Sequence, residues 1–343
     1  MKTYDFALTW TPQESRCYFT DLLMSDCKEK GLSFLWVSDT NARSVIRQLE
    51  RGELKINVLL DTEATYDIPG DLYSRVCYGV KDAGGVVIND PDRTQFAVDK
   101  SVMYYELLDA GIDTPYTVVV RNWEPKKIKL AENERKKLGV PFIIKPGCGW
   151  GHRGVVYDAK GSIREIAEAR NYNWGDNFLL QERIEPLTLS GKYAWFRVFH
   201  IFDKIIPCWW HDRTSRYDHV TLEEFKKYKL TPLVRFTTRI GNISNMVWFS
   251  TEIAIDEKDG KRRFTAIDYV NDQCDMEAQS EDKNGVPDHI VKFTAYSIIH
   301  ASQQLISGQK EKRKKKYTVL LAEDNHMGMK GLGYAPELLT QKI

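Results

Sequence analysis

A glycine-rich segment with a predicted strand on each side sets the strictest limit on the fold of this chain. The segment covers residues 147–154 (GCGWGHRG) and follows the apolar residues 142–144 (FII). Residues 155–157 (VVY) read as a second strand. A Rossmann phosphate loop opens a helix and a Walker loop continues with Lys-Ser or Lys-Thr, so neither fits. A protein-kinase fold is excluded because the sequence contains no H-R-D or D-F-G motif.

Two interpretations of the glycine-rich segment stay open. In a β-hairpin flap, Gly149, Gly151 and Gly154 would let backbone N–H groups approach phosphate oxygens without a Cβ in the way. The other interpretation is a plain tight turn. Lys145 favours the flap, because it ends the apolar strand before the segment and a buried ammonium needs an anionic partner. A nucleotide phosphate would serve as that partner, and so would a carboxylate in an internal ion pair.

The beginning of the chain alternates between short apolar segments and amphipathic ones. The predicted strands and helices cover residues 6–10, 13–30, 32–37, 41–51 and 56–61 in turn. Such alternation is typical of a mostly parallel α/β sheet.

The rest of the chain reads as an antiparallel α+β body. We predict a helix from about 94 to 110, which stops at Gly111, and a second helix over 288–306. Asp259-Gly260 lies between two apolar runs and predicts a hairpin turn.

Composition excludes several classes of protein. Of the 343 residues 42% are hydrophobic and 12% aromatic, which is too apolar for a disordered chain. The formal net charge of +1 argues against coating nucleic acid by bulk electrostatics, and no apolar run is long enough to predict a membrane span. Asp5 falls where a signal peptide has its apolar region. Six scattered cysteines without a C-x-x-C pair are typical of reduced thiols, so we expect a cytoplasmic protein.

One strongly biased segment lies near the C-terminus. Residues 310–316 read KEKRKKK. We interpret them as a solvated linker after the last helix, because the run is short and the chain as a whole is nearly neutral. Binding to nucleic acid or another anionic surface is the alternative.

Two apolar strands around the predicted hairpin turn carry acidic residues. Glu252 lies within the first strand and Asp268 near the end of the second. A carboxylate on an apolar strand is costly unless it is hydrogen-bonded or bound to a cation, and Mg²⁺ takes a few such oxygens while keeping water or phosphate. Both residues are therefore candidate magnesium ligands. The alternatives are a turn or cap acid for Asp268 and, for Glu252, an acidic face shared with Asp256.

Five motifs in order resemble the ATP-grasp superfamily over roughly residues 85–305. They are residues 89–91 (NDP) with 99–100 (DK), 111–115 (GIDTP), 144–146 (IKP) with the glycine-rich segment, 181–184 (QERI), and 268–271 (DYVN). The resemblance implies a pre-ATP-grasp-like α/β domain followed by a two-part ATP-grasp fold with antiparallel sheets. The implied boundaries are 1–88 for the first domain, 89–308 for the ATP-grasp region, about 115–185 and 186–308 for its nucleotide-flap and catalytic subdomains, and 309–343 for a basic linker and tail.

The resemblance also implies residues that contact ATP. Lys100 resembles the first nucleotide lysine, and Lys145 resembles the second, which touches the α-phosphate beneath the flap. Residues 181–184 resemble the hinge that meets the adenine, largely through backbone groups. The implied hinge contacts are Glu182, Arg183 and Ile184, with Glu182 or Glu185 near the adenine or ribose.

A magnesium centre follows from the same resemblance. Asp268 and Asn271 resemble the magnesium carboxylate and its amide companion, with Glu252 as a further ligand. The superfamily spaces the acid and the amide two residues apart, whereas they are three apart here, so either Asn271 or Asp272 fills the second place. Arg197 resembles an arginine on the phosphate or substrate side. The implied cofactors are ATP and Mg²⁺.

An arginine-rich connection over residues 209–245 is the candidate specificity segment. In related enzymes an arginine at this point neutralises the transferred phosphoryl group and the oxyanion that follows. Arg213 and Arg239 are the candidates for that role. A solvated loop is the alternative for each of them.

These features favour an ADP-forming ligase. A carboxylate would attack the γ-phosphate of ATP and form an acyl phosphate, from which an amine, or less readily a thiol, displaces phosphate. The protein then needs no nucleophile of its own, because it positions substrates and screens charge. A small-molecule kinase on the same fold and a nucleotide-binding scaffold without catalysis are the alternatives. We expect small-molecule carboxylate and amine substrates, no membrane or nucleic-acid partner and, by resemblance, a homodimer.

Overall fold

The computed structural model describes residues 1–11, 17–125, 127–149, 151–211, 214–308, 317–323 and 329–334. The basic run 310–316 therefore lies outside the described residues. The chain divides into two compact units: the first combines residues 1–95, 196–250 and 271–341, and the second combines 96–195 with 251–270. The predicted boundaries at residues 88 and 308 stay predictions. Among the described residues, no helix has the length and apolar composition that crossing a membrane requires.

The first unit begins with a parallel α/β layer, as the alternation in the sequence predicts. Its elements are β1 (Lys2–Thr9), α1 (Tyr18–Glu29), β2 (Phe34–Val37), α2 (Ala42–Glu50), β3 (Leu54–Leu60), α3 (Leu72–Asp82) and β4 (Val86–Ile88). The four strands are parallel in the order β2-β1-β3-β4. One face of the sheet packs on α2 and α3 through apolar residues such as Val45 and Val76. The burial of such side chains is the main force that holds this layer together.

Two helices stand where the sequence predicts one over 94–110. Helix α4 (Pro91–Val98) ends before Asp99, and α5 (Lys100–Asp109) begins after it. Asp99 has extended backbone angles, and its carboxylate accepts hydrogen bonds from the N–H groups of Ser101 and Val102. The single-helix prediction is wrong because this acid caps a new helix, which competes with continuing the old one. The predicted stop at Gly111 is confirmed, since that residue has a φ of 66°.

The second unit contains a four-stranded antiparallel sheet. Its further elements are β5 (Thr117–Val120), α6 (Glu132–Leu138), β6 (Phe142–Pro146), β7 (Val156–Ala159), α7 (Ile163–Arg170), β8 (Phe178–Gln181), β9 (Thr188–Leu189) and β10 (Lys192–Tyr193). The sheet order is β5-β8-β6-β7, and the glycine-rich segment joins its neighbours β6 and β7. The two strands that the sequence predicts around that segment are therefore confirmed.

The first unit resumes with a second group of strands and two helices. These are β11 (Trp195–Ile201), β12 (Lys204–His211), β13 (Arg216–His219), α8 (Leu222–Lys227) and α9 (Thr231–Ser244). Arg239 therefore lies on a helix and not in a solvated loop, whereas Arg213 lies outside the described residues. The apolar residues Leu233, Val234, Phe236 and Ile240 of α9 are buried at helical spacing.

The remaining elements complete both units. They are β14 (Trp248–Lys258), β15 (Lys261–Asn271), α10 (Asp288–Ile306), β16 (Tyr317–Ala322) and β17 (Met329–Tyr334). Strands β14 and β15 run largely in the second unit, and the predicted turn between them is confirmed by positive φ angles at Asp259 and Gly260. Strand β16 is parallel to β12 and antiparallel to β17, so the two C-terminal strands extend the sheet that contains β11 and β12.

Replacing the cap of α5 tests the local basis of this fold. We expect Asp99→Ala to lower the free energy of unfolding by about 1–2 kcal/mol, because two N–H groups at the helix start lose their acceptor. Asp99→Asn keeps an accepting oxygen and should lose much less. Asp109→Ala, at the exposed C-terminal end of the same helix, is the matched control. Equal loss from Asp99→Ala and Asp109→Ala in urea titrations would contradict the assignment.

Candidate functional site

Lys145 is a buried cation in the second unit. Only 9% of the residue is exposed, and its side chain leaves strand β6 directly before the glycine-rich segment. Its Nζ donates a hydrogen bond of 3.1 Å to the backbone oxygen of Ile267 on β15. The same nitrogen lies 5.8 Å from the centre of the Tyr269 ring. Sequence reasoning predicted a buried lysine here, and the structure confirms the burial.

The pKa of Lys145 is lowered to about 8 from the ordinary 10.5. Burial is the largest cause, because removing an ammonium from water disfavours its charged form. The carboxylate of Asp268 opposes this effect, the ammonium of Lys100 adds to it, and Glu252 opposes it again. The charges of Asp268, Lys100 and Glu252 therefore interact electrostatically with that of Lys145 in the second unit.

Lys100 joins this group from the start of α5. Its Nζ donates to the backbone oxygen of Gly149 at 2.9 Å and lies 3.7 Å from Oδ1 of Asp268. Only 11% of the Lys100 side chain is exposed, against 30% for that of Asp268. The structure therefore brings together three of the predicted site residues, Lys100, Lys145 and Asp268, with the backbone of the glycine-rich segment.

The first residues of the glycine-rich segment are held by a chain of hydrogen bonds. Gly147 donates its N–H to the Asn177 oxygen at 2.7 Å and accepts from the Lys100 N–H at 3.0 Å. The Cys148 N–H donates to Asp176 at 2.8 Å, and the Asn177 amide donates to the Ser101 hydroxyl at 2.9 Å. This network connects the base of the segment to the N-terminus of α5. It therefore fixes the position of Lys100 relative to the segment.

Farther along, the segment needs glycine for two different reasons. A Cβ at Gly149 would lie 2.8 Å from the Pro146 ring. A residue larger than glycine would therefore clash with that ring. Gly154 has a φ of 73°, and a Cβ on it would lie 2.6 Å from the Tyr172 ring. Gly151 has a φ of 59° with open space around it. Trp150, the fourth residue of the segment, lies outside the described residues.

The charged side chains of the predicted hinge form ion pairs and hydrogen bonds with other residues of the protein. Glu182 forms an ion pair with Lys258 at 3.0 Å and accepts the Tyr116 N–H, also at 3.0 Å. Arg183 lies 2.7 Å from carboxylate oxygens of both Asp158 and Glu185. These side chains already have partners in the protein, and contact of residues 181–185 with an adenine stays a prediction.

Ile184 completes the hinge as a buried residue. It packs in a small apolar cluster with Ala254 and Ile267. Ile267 also supplies the oxygen that receives the Lys145 ammonium. The hinge and the lysine are therefore linked through one residue of β15.

The carboxylates of Glu252 and Asp268 are suited to binding a magnesium ion. Glu252 is only 7% exposed and accepts a 3.2 Å hydrogen bond from the Trp195 indole, while Asp268 is partly open to solvent. Mg²⁺ binds one or two carboxylates together with water and phosphates, so two acids near Lys145 fit it. No group of three His, Cys, Asp or Glu suited to a metal occurs within the described residues. Asn271 clusters instead with the first unit, where its amide donates to Ser250 at 3.4 Å.

The predicted arginines belong to the first unit. Arg197 on β11 donates to the Tyr217 hydroxyl at 3.3 Å, and its guanidinium lies 4.8 Å from the centre of the Trp210 ring. Arg239 lies on α9. Arg213 lies outside the described residues. Whether these residues contact a substrate stays a prediction.

The first unit places Arg197 and Arg239 on opposite sides of a sheet. Arg197 and His200 are three residues apart on β11, so strand alternation directs their side chains to opposite faces. Helix α9 packs on the His200 face, because a Cβ at Gly241 would lie 3.0 Å from the His200 ring. The structure therefore does not bring these two arginines together.

Sequence reasoning missed the polar support beneath Lys145. Tyr269 is fully buried, and its hydroxyl accepts a 3.3 Å hydrogen bond from the Gln181 amide. Thr251 donates to the backbone oxygen of Asp268 at 3.0 Å. Both Gln181 and Tyr269 lie within quoted motifs, so a signal was present, but neighbours on different strands are not visible in a linear sequence.

Solved structures share this fold over most of the chain. D-alanine–D-alanine ligase from Bacillus anthracis complexed with ATP matches with a TM-score of 0.57 at 15% identity, over 90% of this chain and 100% of that one. D-cycloserine synthetase DcsG gives 0.58 at 12%, over 87% and 99%. A RimK domain ATP-grasp protein from Sphaerobacter thermophilus gives 0.56 at 14%, over 86% and 98%. No protein-family model and no curated protein sequence matches the chain.

The class of the molecule follows from these matches. The chain has the ATP-grasp fold, and the resemblance read from the sequence is confirmed at the level of fold. The mixed α/β and α+β architecture is confirmed with it.

The lowered pKa of Lys145 predicts a specific pH dependence of stability. Below pH 8 the folded protein carries the full cost of burying a charged amine, and the cost fades as pH rises from about 8 to 10.5. Relative to Lys145→Met, the unmodified protein should therefore gain stability over this range, on the order of 3 kcal/mol. Urea unfolding at several pH values measures the difference. Lys160→Met, at an exposed lysine, should leave the slope unchanged; a slope that survives in Lys145→Met would refute the assignment.

Proposed function

We propose that this protein is an ADP-forming ligase that uses Mg²⁺ and ATP to join a carboxylate to an amine. The observation that carries the proposal is the meeting of Lys100, Lys145 and Asp268 at the base of the glycine-rich segment. Two ammonium groups beside a glycine-rich backbone suit a polyphosphate, and an acid next to them suits its metal ion.

The state of Lys145 supports a phosphate as its missing partner. An ammonium has three N–H donors, and the Ile267 oxygen takes one of them. The lowered pKa records that its present surroundings do not fully offset the burial of its charge. A phosphate oxygen would supply the negative charge and accept a further N–H, at about 1.5–3 kcal/mol for a charge-assisted bond.

Asp268 and Glu252 would hold the magnesium ion. When bound, Mg²⁺ neutralises charge on the phosphates of ATP. Asn271 or Asp272 as a further ligand stays part of the proposal. Lys100, at 3.7 Å from Asp268, would help to orient that carboxylate while its own ammonium faces the nucleotide.

The proposed reaction has two steps. A carboxylate oxygen of the first substrate attacks the γ-phosphorus of ATP, the bond from that phosphorus to the bridging oxygen breaks, and ADP leaves. The nitrogen of the amine then attacks the acyl carbon, phosphate leaves with the bonding electrons, and the nitrogen loses a proton to water. Lys100 and Lys145 would stabilise the negative charge without forming covalent bonds.

Structural neighbours support this chemistry by analogy. They include the D-alanine–D-alanine ligase bound to ATP, the ligase PsnB bound to Mg and ADP, and the macrocyclase MdnC bound to a precursor peptide. Their substrates differ from one another, so the fold itself selects no substrate. Small-molecule carboxylates and amines, a cytoplasmic location and a homodimer remain part of the proposal for this chain.

A screen of metabolite pools tests the proposal directly. With ATP, magnesium and a productive pair of substrates, we expect ADP, phosphate and a product whose mass is the sum of the pair less one water. AMP and pyrophosphate as the sole nucleotide products would overturn the proposal. A stable phosphorylated product formed without an amine would identify a kinase instead, and ATP binding with no turnover would identify a scaffold.

Removing the buried cation should weaken nucleotide binding. We expect Lys145→Met to bind ATP about 10- to 100-fold more weakly, because a charge-assisted hydrogen bond is lost. ATP affinity of the unmodified protein should also fall as pH rises through about 8, where Lys145 loses its charge. Calorimetric titration measures both effects. Lys160→Met is the matched control, and equal affinity in the two variants would count against the site.

Removing the proposed metal carboxylate should separate binding from turnover. We expect Asp268→Asn to retain ATP binding and to lower the turnover rate at least about 100-fold, as loss of a charge-stabilising group commonly does. Asp259→Asn, in the hairpin turn of the same β14–β15 pair, removes an equal charge and should leave the rate unchanged. Similar rates in both variants would show that Asp268 holds no catalytic metal.

A further inference from the structure

Two arginines on α9 lack any partner among the residues that the structure describes. Arg235 and Arg239 lie one helical turn apart, and both are half-buried. The described part of the chain gives neither guanidinium a hydrogen bond or an ion pair, and the Nε atom of Arg235 is enclosed without an acceptor. Leaving the enclosed Arg235 Nε–H without an acceptor costs free energy, and the guanidinium groups of both half-buried residues have further N–H donors to offer a ligand.

Arg235 and Arg239 are both positively charged and repel each other. Like charges four residues apart on a helix are destabilising, and α9 carries no acidic residue to balance them. Burial lowers the pKa of Arg239, and the charge of Arg235 lowers it further. Among the residues that the structure describes, neither arginine is paired with a carboxylate or another hydrogen-bond acceptor.

The position of this pair separates it from Arg197. Helix α9 packs on the His200 face of the β11–β12 sheet, whereas Arg197 leaves the opposite face toward Tyr217. Asn242, three residues after Arg239, is exposed, and its side-chain oxygen accepts a hydrogen bond from the Tyr317 hydroxyl at 3.4 Å. The amide nitrogen of Asn242 then adds a third donor group to the same side of the helix.

We propose that Arg235 and Arg239 form an anion site for a phosphate dianion, either free or carried as a monoester. Each guanidinium is a planar fork that binds two oxygens, and a phosphate has enough oxygens to meet two forks at once. Its double negative charge also matches the two positive charges, whereas a single carboxylate has one charge and two oxygens. The proposed site shares no residue with Lys100, Lys145, Asp268 and Glu252, and it gives Arg239 a role other than the phosphoryl-neutralising one that the sequence suggests.

Calorimetric titration of the full chain with inorganic phosphate, in chloride buffer of constant ionic strength, tests the proposal. We expect Arg235→Gln/Arg239→Gln to bind phosphate at least 10-fold more weakly than the unmodified protein. Lys226→Gln/Lys227→Gln on α8 removes the same charge from two exposed lysines and should bind normally. Lys100→Met/Lys145→Met should keep this binding too, which distinguishes it from phosphate bound at the nucleotide site.

A second titration, with glycerol phosphate, separates the two sources of the ligand. Tighter binding of the monoester would identify a carried phosphate, and tighter binding of inorganic phosphate a free one. Arg235→Lys/Arg239→Lys, which keeps both charges without the forks, should fall between the glutamine variant and the unmodified protein. Absence of phosphate binding in the unmodified protein, or undiminished binding in a folded glutamine variant, would overturn the proposal. ATP turnover is measured separately, so failure of the ligase proposal would leave this result unaffected.

Discussion

The cost of burying one ammonium group organises the second unit. Lys145 is buried and yet carries a charge, so its surroundings must offset the loss of water. The Ile267 oxygen, the Tyr269 ring and the carboxylates of Asp268 and Glu252 do so in part. The depressed pKa shows that the offset is incomplete. An anion that binds here would supply the negative charge that Lys145 lacks. This is the physical basis of the nucleotide proposal.

The glycine-rich segment is anchored at its base and carries two glycines with positive φ farther along. Its base is tied to Asp176, Asn177 and the start of α5 by hydrogen bonds, so Lys100 and the segment are positioned together. Beyond Gly149 the backbone enters conformations that suit glycine, and the φ of Gly154 is positive. A ligand that needs several backbone N–H groups can therefore approach closely, while the lysines beneath keep their places.

Much of this site could be read from the sequence, because its signals are local. Lys145 ends an apolar strand and Asp268 interrupts an apolar run, whereas Lys100 was indicated only by the resemblance to ATP-grasp motifs. Each of the two local patterns reflects a cost that a neighbouring group must offset. Other features were not visible in this way. The break at Asp99 depends on a cap competing with helix continuation, and the partners of Glu182 lie on distant segments.

By itself, the sequence determined the alternation of the N-terminal layer, the hairpin at Asp259 and the order of motifs that identifies an ATP-grasp fold. These depend on periodicity, turn preference and residue type, which act over a few neighbouring positions. Only the tertiary structure decided which charges meet. It brought Lys100, Lys145 and Asp268 together from three separate segments, and it directed Arg197 and Arg239 to opposite faces of a sheet. Coulomb energy depends on distance in space, and a linear sequence does not contain that distance.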